Sequence, residues 1–174
     1  MTPTQQMIVA LLEDPSRENY LRLWEAVTTA PDYAPYDDPY SPIETALEAG
    51  DNDAAKAAVI DVISRWALSP RIHMLASITA QRLGDEEQAK FEAMFCARCI
   101  HAMLATGDGS TESPYLVTCT ADEYDLLSHL GKELETQSLA QEGETTFDVM
   151  KCKDGSEIHF DVTRVINSLS GRGE

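Results

Sequence analysis

Hydrophobic residues recur with a helical period through the first hundred residues of the chain. Each apolar stripe follows a capping residue or a proline and stops at a glycine or a turn, which are the usual boundaries of helices. The pattern therefore predicts six helices before Gly107. The predicted segments are 3–13, 17–30, 41–50, 52–68, 70–85 and 86–106.

Two of the predicted helical hairpins share a sequence repeat. The segments ALEAGDNDAAK (46–56) and AQRLGDEEQAK (80–90) have five identities in eleven positions at an offset of 34 residues, which is the tetratricopeptide period. Small alanine side chains let antiparallel helices approach closely, and Gly50 and Gly84 can adopt the positive φ of a tight turn. The repeat predicts a tetratricopeptide-like region, and a generic helical hairpin with a Gly-Asp turn is the alternative.

The pattern of the chain changes after Thr106. A glycine-rich loop is followed by a segment of strand composition, YLVTCT, and then by a predicted helix over 120–131. Thr120 and Glu123 match the T-x-x-E capping box at the start of this helix. Tyr124 and Leu127 are predicted to form its buried stripe.

Three strands are predicted after this helix, at about 132–140, 145–152 and 156–163. Glu-Gly and Asp-Gly turns connect them, and Asp-Gly is a strong hairpin signal. The strand at 145–152 alternates Phe147 and Val149 with polar residues. The strand at 156–163 does the same with Ile158, Phe160 and Val162. One face of the sheet is therefore predicted to be apolar and covered by the preceding helices.

The predicted fold class is α+β. Residues 1–106 are expected to form antiparallel, tetratricopeptide-like hairpins of about six helices. Residues 107–174 are expected to form a small lobe with an antiparallel sheet and one helix, packed against the helices as one compact unit. The hydrophobic content of 43% is sufficient for a core of this kind.

The chain is strongly acidic, with 30 Asp and Glu residues against 13 Lys and Arg and a formal net charge of −17. The charge is evenly spread, because 16 acidic and 8 basic residues occur up to Thr106 and 14 and 5 occur after it. A phosphate backbone would be repelled, so no nucleic acid is expected as a partner. The charge favours a basic protein or peptide, and the alternative is that it only maintains solubility.

The sequence predicts a cytoplasmic location without a membrane. The N-terminus lacks a basic start, and its apolar run from Met7 to Leu12 is shorter than a signal-peptide core. No stretch approaches the roughly 20 apolar residues that a membrane helix needs. The four cysteines are accordingly expected to be reduced.

The cysteines are the weakest of the candidate chemical groups. Cys96 and Cys99 could ligate one metal ion, because residues i and i+3 share a helix face, but their neighbours are apolar and core packing is favoured. Cys119 could act as a nucleophile only with His129 or His159 as its base, and no nucleophile motif surrounds it. No metal, catalytic residue or cofactor is therefore expected.

The loop GDGSTES (107–113) concentrates oxygen donors in a glycine-rich segment. Asp108 and Glu112 match only a fragment of a calcium loop, and the lysine of a phosphate loop is absent. A tight turn between a helix and a strand is the favoured interpretation. His159 and Asp161 project from one face of a predicted strand and could line a shallow site together with this loop.

Residues 31–40, PDYAPYDDPY, contain three prolines, three tyrosines and three aspartates, and we call this segment the proline strap. Proline fixes φ and resists helix formation, so the strap is predicted to be extended. Tyr33, Tyr36, Asp37 and Tyr40 could contact a partner peptide. Packing of the tyrosine rings over the helices is the favoured interpretation.

The ordered motifs PDYAPY, GDGSTES, DEYDLL, TQSL, FDVM and EIHFDV resemble an uncharacterised bacterial family known as a domain of unknown function. The resemblance runs from about Leu21 to Val162. It implies a tetratricopeptide-like helical front and a small mixed lobe, and it assigns no catalytic residue. The positions that match the motifs are Tyr33, Pro35, Tyr36, Gly107, Asp108, Gly109, Glu123, Tyr124, Phe160 and Asp161.

Two functional hypotheses follow from the sequence. The first is a non-enzymatic interaction module, such as an adaptor, a chaperone-like protein or an immunity protein. Its concave helical surface, with the proline strap at the rim, would hold a segment of another protein. The second is a small enzyme or ligand-binding lobe that uses the loop from Gly107 to Glu112 with His159 and Asp161.

Overall fold

The computed structural model describes residues 1–170, which form eight helices and four strands. The helices are α1 Pro3–Glu13, α2 Arg17–Thr28, α3 Ser41–Glu48, α4 Asn52–Val62, α5 Pro70–Arg82, α6 Glu86–Leu104, α7 Thr120–His129 and α8 Thr163–Ser170. The strands are β1 Tyr115–Leu116, β2 Leu134–Glu142, β3 Thr145–Cys152 and β4 Glu157–Asp161. The predicted α+β class is confirmed, and the last four residues of the predicted C-terminal lobe, 171–174, lie outside the described residues.

The two repeated segments adopt the same local structure. Gly50 and Gly84 follow α3 and α5 with φ angles of 74° and 78°. Asp51 and Asp85 come next, and each side chain accepts a hydrogen bond of 3.0 Å from the amide three residues further on. The repeat therefore encodes two copies of one turn, which joins α3 to α4 and α5 to α6.

The helix predicted over 52–68 is shorter in the structure. α4 ends at Val62, and residues 63–68 form turns in which Trp66 and Leu68 are buried. Burial of these side chains decides the backbone conformation here, because tertiary packing overrides the weak preference for continued helix. The side chain of Ser69 then caps α5.

The capping box predicted at Thr120 and Glu123 is wrong. The residue before α7 is Cys119, whose side chain makes no capping hydrogen bond. Asp122 instead accepts hydrogen bonds from the amide and the hydroxyl of Thr118, at 2.9 and 2.6 Å. Glu123 is left free to point into the interior, where it is fully buried.

The strands form one mixed sheet with the order β1-β4-β3-β2. β2, β3 and β4 are antiparallel neighbours, whereas β1 pairs in parallel with β4. The predicted antiparallel sheet is therefore only partly right. The parallel pair is possible because α7, β2 and β3 all lie between β1 and β4 in the chain and supply the long crossover that such a pair requires.

The register of the sheet separates apolar residues that were predicted to share one face. Asp148 lies opposite Phe160, and Val149 lies opposite His159. Residues directly opposite one another point to the same face, so Phe147 and Val149 point away from the face that carries Phe160. A charged residue, Asp148, occupies the inner face in their place.

The main hydrophobic core includes residues from both halves of the chain. Side chains of α1, α2 and α6 pack with those of α7 and the inner face of the sheet, and a second cluster lies among α3, α4 and α5. α8, which the sequence analysis does not predict, is attached to α2 by Arg164, whose guanidinium binds Glu25 at 3.0 Å and lies over the Trp24 ring. No helix within residues 1–170 is both long enough and apolar enough to cross a membrane.

Candidate functional site

A groove of about 540 Å³ lies between α4, α5 and α6. Its lining includes Ile60 and Ile63 from α4 and Leu83 from the end of α5. Ile60 is 64% exposed, which is unusual for a large apolar side chain that has neighbours to pack against. The size of the groove is within the range of roughly 300–1,000 Å³ that is typical of ligand-binding clefts.

The groove is acidic as well as apolar. Asp53, Asp85 and Glu92 contribute to its lining, against a single cationic side chain, Lys56. Glu92 is buried and lies 2.6 Å from Nδ1 of His73, which fixes its carboxylate at the side of the groove. A segment that combines apolar and basic residues would therefore match the lining better than an acidic one.

The proline strap lies over the protein's own core. The hydroxyl of Tyr33 donates to the carbonyl of Thr118 at 2.7 Å. The hydroxyl of Tyr40 lies 3.3 Å from that of Ser69, and the Arg71 guanidinium stacks 5.2 Å from the Tyr40 ring centre. The strap, which connects α2 to α3, is thus tied to the segment that precedes α7 and to the start of α5.

The strap residues differ in what they leave available to a partner. Tyr36 is 45% exposed and Asp37 is exposed, whereas the hydroxyls of Tyr33 and Tyr40 are engaged within the protein. The strap does not line the groove between α4, α5 and α6. A partner-binding role for these four residues stays a prediction.

Single phenylalanine substitutions separate the packing role of the strap from a surface role. We expect Tyr33→Phe to lower the free energy of unfolding by about 1 kcal/mol, because the buried carbonyl of Thr118 loses its donor. We expect Tyr36→Phe to change it by less than about 0.5 kcal/mol, because this side chain is half exposed. Urea denaturation of both variants measures the difference, and equal values would contradict this assignment.

The glycine-rich loop and the strand residues proposed to line a site with it are in contact. Oγ1 of Thr111 lies 3.3 Å from Nε2 of His159, and the amide of His159 donates to the carbonyl of Gly109. The carboxylates of Asp108 and Asp161, however, accept hydrogen bonds from backbone amides two residues further on. Asp108 accepts from the Ser110 amide in a tight turn, and Asp161 accepts from the amide of the first residue of α8. Glu112 is exposed.

The cysteines lie in apolar surroundings. Burial raises the pKa of the Cys99 thiol well above its ordinary value and also raises that of Cys96. The pKa of Cys119 is raised in the same way, which is the opposite of what a nucleophilic cysteine requires. Within residues 1–170, no three His, Cys, Asp or Glu side chains are grouped so that they could hold a metal ion.

Several of the sequence motifs meet at a buried carboxyl pair that the sequence analysis does not predict. Glu123 of DEYDLL faces Asp148 of FDVM, and both side chains are buried. Asp148 also accepts a hydrogen bond from the side-chain amide of Gln137 in TQSL, and Gln137 accepts one from the hydroxyl of Tyr124. Burial, followed by the charge of the Glu123 carboxyl, raises the pKa of Tyr36 in the strap.

The surroundings of Glu123 favour the protonated form of its carboxyl. Among the described residues, no donor reaches either carboxylate oxygen of Glu123, and Oδ1 of Asp148 also lacks a hydrogen-bond partner, so two ionised carboxylates would repel one another here. Burial, followed by the proximity of Asp148, raises the pKa of Glu123 from 4.5 to about 10. Burial likewise raises the pKa of the neighbouring Asp122 to about 6, against two hydrogen bonds from Thr118.

The match of the sequence to a family model agrees with the motifs. The model of a domain of unknown function, DUF4919, matches residues 26–170. The chain belongs to the DUF4919 family. No curated protein and no solved structure matches it. The family expected from the motifs is thus confirmed, and the DUF4919 match includes the strap, the loop and every residue of the carboxyl pair and its hydrogen-bond chain.

The sequence of this DUF4919 chain does not single out the buried site of Glu123, Gln137 and Asp148, because each residue also fits an ordinary local role. Glu123 fits a helix cap, Gln137 fits an exposed strand position, and Asp148 alternates with apolar residues as a solvent-facing residue would. One sequence signal could have identified the pair. Asp148 alternates in phase with Met150 and Cys152, so either the aspartate or the two apolar residues had to occupy an unfavourable face.

Proposed function

We propose that this DUF4919 protein is a non-enzymatic interaction module that holds a basic segment of a partner protein in the groove between α4, α5 and α6. The observation that carries the proposal is the groove itself, which combines exposed apolar side chains with an acidic lining. An adaptor, a chaperone-like protein or an immunity protein would each use such a surface. A partner with lysine or arginine residues next to one or two apolar side chains matches it best.

The shape of the groove supports a segment rather than a flat partner surface. α5 contributes the small, buried side chains of Ala76, Thr79 and Ala80 to the lining, between residues of α4 and α6. α4 contributes the exposed Ile60, and α6 contributes the buried Glu92. Repeated helical hairpins commonly bind extended or helical segments in hollows of this kind. The tetratricopeptide-like character of the hairpins is part of this proposal.

The charge of the protein supports a basic partner. The groove is acidic, and the whole chain carries a formal net charge of −17. A field of this sign accelerates association with cationic segments and disfavours acidic ones. We therefore expect binding to weaken as the salt concentration rises.

A photo-crosslinking residue at Ile60 identifies and tests the partner in one experiment. The full-length protein is expressed in its native host with the crosslinker at position 60, or at Val9 on α1, another exposed apolar residue, as the control. A partner protein that is crosslinked at position 60 but not at position 9 is then purified. Its affinity for the wild-type chain and for the Ile60→Lys variant is measured by calorimetry. We expect Ile60→Lys to weaken binding about tenfold or more, since it adds a cation and removes an apolar contact.

Two outcomes of this experiment would overturn the proposed function. One is that both crosslinker positions capture the same set of proteins. The other is that the captured protein binds Ile60→Lys as tightly as the wild type. A captured partner that is acidic overall and binds more tightly at high salt would overturn the charge argument in particular.

The alternative function, a small enzyme or ligand-binding lobe, rests on the contact between Thr111 and His159. It has less support, because the carboxylates of Asp108 and Asp161 are committed to a turn and to the start of α8. The loop from Gly107 to Glu112 is accounted for by its role in joining α6 to β1.

A further inference from the structure

β2 is the outermost strand of the sheet on the side away from β1. It is nine residues long, and all of its residues except Leu134 are exposed. A strand at a sheet edge presents unpaired amide and carbonyl groups that can pair with another strand. β2 is therefore a free edge that is longer than the other outer strand, β1, which has two residues.

The hydrogen-bond pattern shows which residues of β2 present their backbone outward. At the β3–β4 turn, the amide of Cys152 donates to the carbonyl of Ser156, so the even-numbered residues of β3 bond toward β4. The odd-numbered residues of β3 consequently bond toward β2, where their partners are even-numbered. The amide and carbonyl groups of Gln137, Leu139 and Gln141 therefore point away from the sheet.

This edge lacks the features that usually prevent strand pairing. Protective edges carry lysine, proline or inward-pointing charges, or they are short and twisted by a bulge. Thr136–Gln141 contains no charged residue and no proline, and the register irregularity of β2 lies before Thr136. Leu139, at the centre of the regular segment, is 62% exposed. Its side chain lies on the same face as Asp148.

The edge is self-complementary. The regular ladder of β2 covers 136–142, and its midpoint is Leu139. In an antiparallel pair of two copies centred there, Leu139 meets Leu139 of the second copy and Gln137 meets Gln141 of the second copy. Glu142 then lies opposite Thr136 and Glu135 opposite Gly143, so no two acidic residues are directly opposed.

We propose that two copies of this protein associate through β2 and form a continuous eight-stranded sheet across a twofold axis. The pair is isologous, as most protein dimers are, and it satisfies the outward backbone groups of both edges. It also covers the two exposed Leu139 side chains with each other. The groove between α4, α5 and α6 is not part of this contact, so the inference is independent of the proposed function.

The charge of the protein sets the salt dependence of this association. Two chains that each carry −17 repel one another, and salt screens that repulsion. We therefore expect dimerisation to strengthen as the salt concentration rises. This is the opposite of the dependence expected for a basic partner in the groove, so the two contacts can be told apart in the same preparation.

The test is sedimentation equilibrium of the full chain at several protein and salt concentrations. Leu139→Lys places like charges at the centre of the contact, and Leu139→Pro removes an amide that the monomer does not use. We expect each substitution to raise the dimer dissociation constant about tenfold or more. Ile60→Lys is the matched control, because Ile60 is an equally exposed apolar residue, and it should leave the constant unchanged.

Circular dichroism and thermal unfolding establish that the variants are folded. Hydrogen exchange adds a residue-specific readout, since the amides of Gln137, Leu139 and Gln141 should become protected as the protein concentration rises. A chain that stays monomeric at every concentration and salt overturns the proposal. So does a dimer that both Leu139 variants leave intact, or a foreign strand that pairs with β2 of a monomer.

Discussion

Replacing Glu123 by glutamine is expected to stabilise the protein at neutral pH, by about 3 kcal/mol at pH 7. Glutamine has nearly the shape of a protonated glutamic acid, and its amide can donate to the nearby Asp148 carboxylate. It carries no charge in either state of the chain. The variant therefore avoids the cost of keeping this buried carboxyl protonated in neutral solution.

The sign of this effect follows from the direction of the pKa shift. In the unfolded chain Glu123 releases its proton near its ordinary value of 4.5, whereas the folded chain retains it up to about pH 10. Between these values the folded state binds the extra proton, so the contribution of Glu123 to stability is complete below pH 4.5 and falls as the pH rises. Above about pH 10 the folded state loses the proton as well, and the contribution stops changing.

The measurement is the free energy of unfolding of wild type and Glu123→Gln in urea between pH 4 and pH 9. The two proteins should be equally stable near pH 4 and should diverge as the pH rises, by up to about 1.4 kcal/mol per pH unit. Glu144→Gln, in the exposed turn between β2 and β3, is the matched control and should show no such divergence. A destabilised Glu123→Gln protein, or a difference independent of pH, would contradict a raised pKa for Glu123 in the folded chain.

Replacing Gly107 by alanine is expected to destabilise the protein by about 3 kcal/mol or more. A Cβ at this position would lie 2.3 Å from the carbonyl oxygen of Ser113 and 2.4 Å from that of Pro114. Both are backbone atoms, so no rotamer change relieves the overlap. The carbonyl of Ser113 also accepts hydrogen bonds from the backbone amides of Asp108 and Gly109. The shift of the backbone that relieves the overlap would break these hydrogen bonds.

Gly84→Ala is the matched control for this substitution. Gly84 has a positive φ of 78°, but no atom lies within 4 Å of the position of its Cβ. We expect it to cost about 1 kcal/mol, which reflects backbone strain without a collision. Thermal unfolding of both variants gives the comparison. If Gly107→Ala costs no more than Gly84→Ala, the loop can open, and its close packing is not what requires glycine at 107.

The local sequence of the glycine-rich loop predicts its turn but not the contacts that it makes with the sheet. Its glycines were correctly interpreted as the mark of a tight turn, because the requirement for glycine at 107 arises within eight residues of chain. The contact between Thr111 and His159 joins segments that are 48 residues apart. Whether a loop and a strand meet depends on the packing of everything between them, so the sequence could only offer that contact as a possibility.

Local sequence alone determined the first six helices apart from the end of α4, the two Gly-Asp turns, the last three strands and the even acidity of this DUF4919 chain. Each depends on caps, side-chain period or backbone freedom within a few residues. The tertiary structure alone decided the parallel pairing of β1 with β4, the inward position of Asp148 and its meeting with Glu123. A one-residue change of phase in a strand exchanges its faces, and only the competition among all the side chains for the core selects one phase. In β3 the selected phase buries Met150 and Cys152 in the core, and it buries Asp148 on the same face.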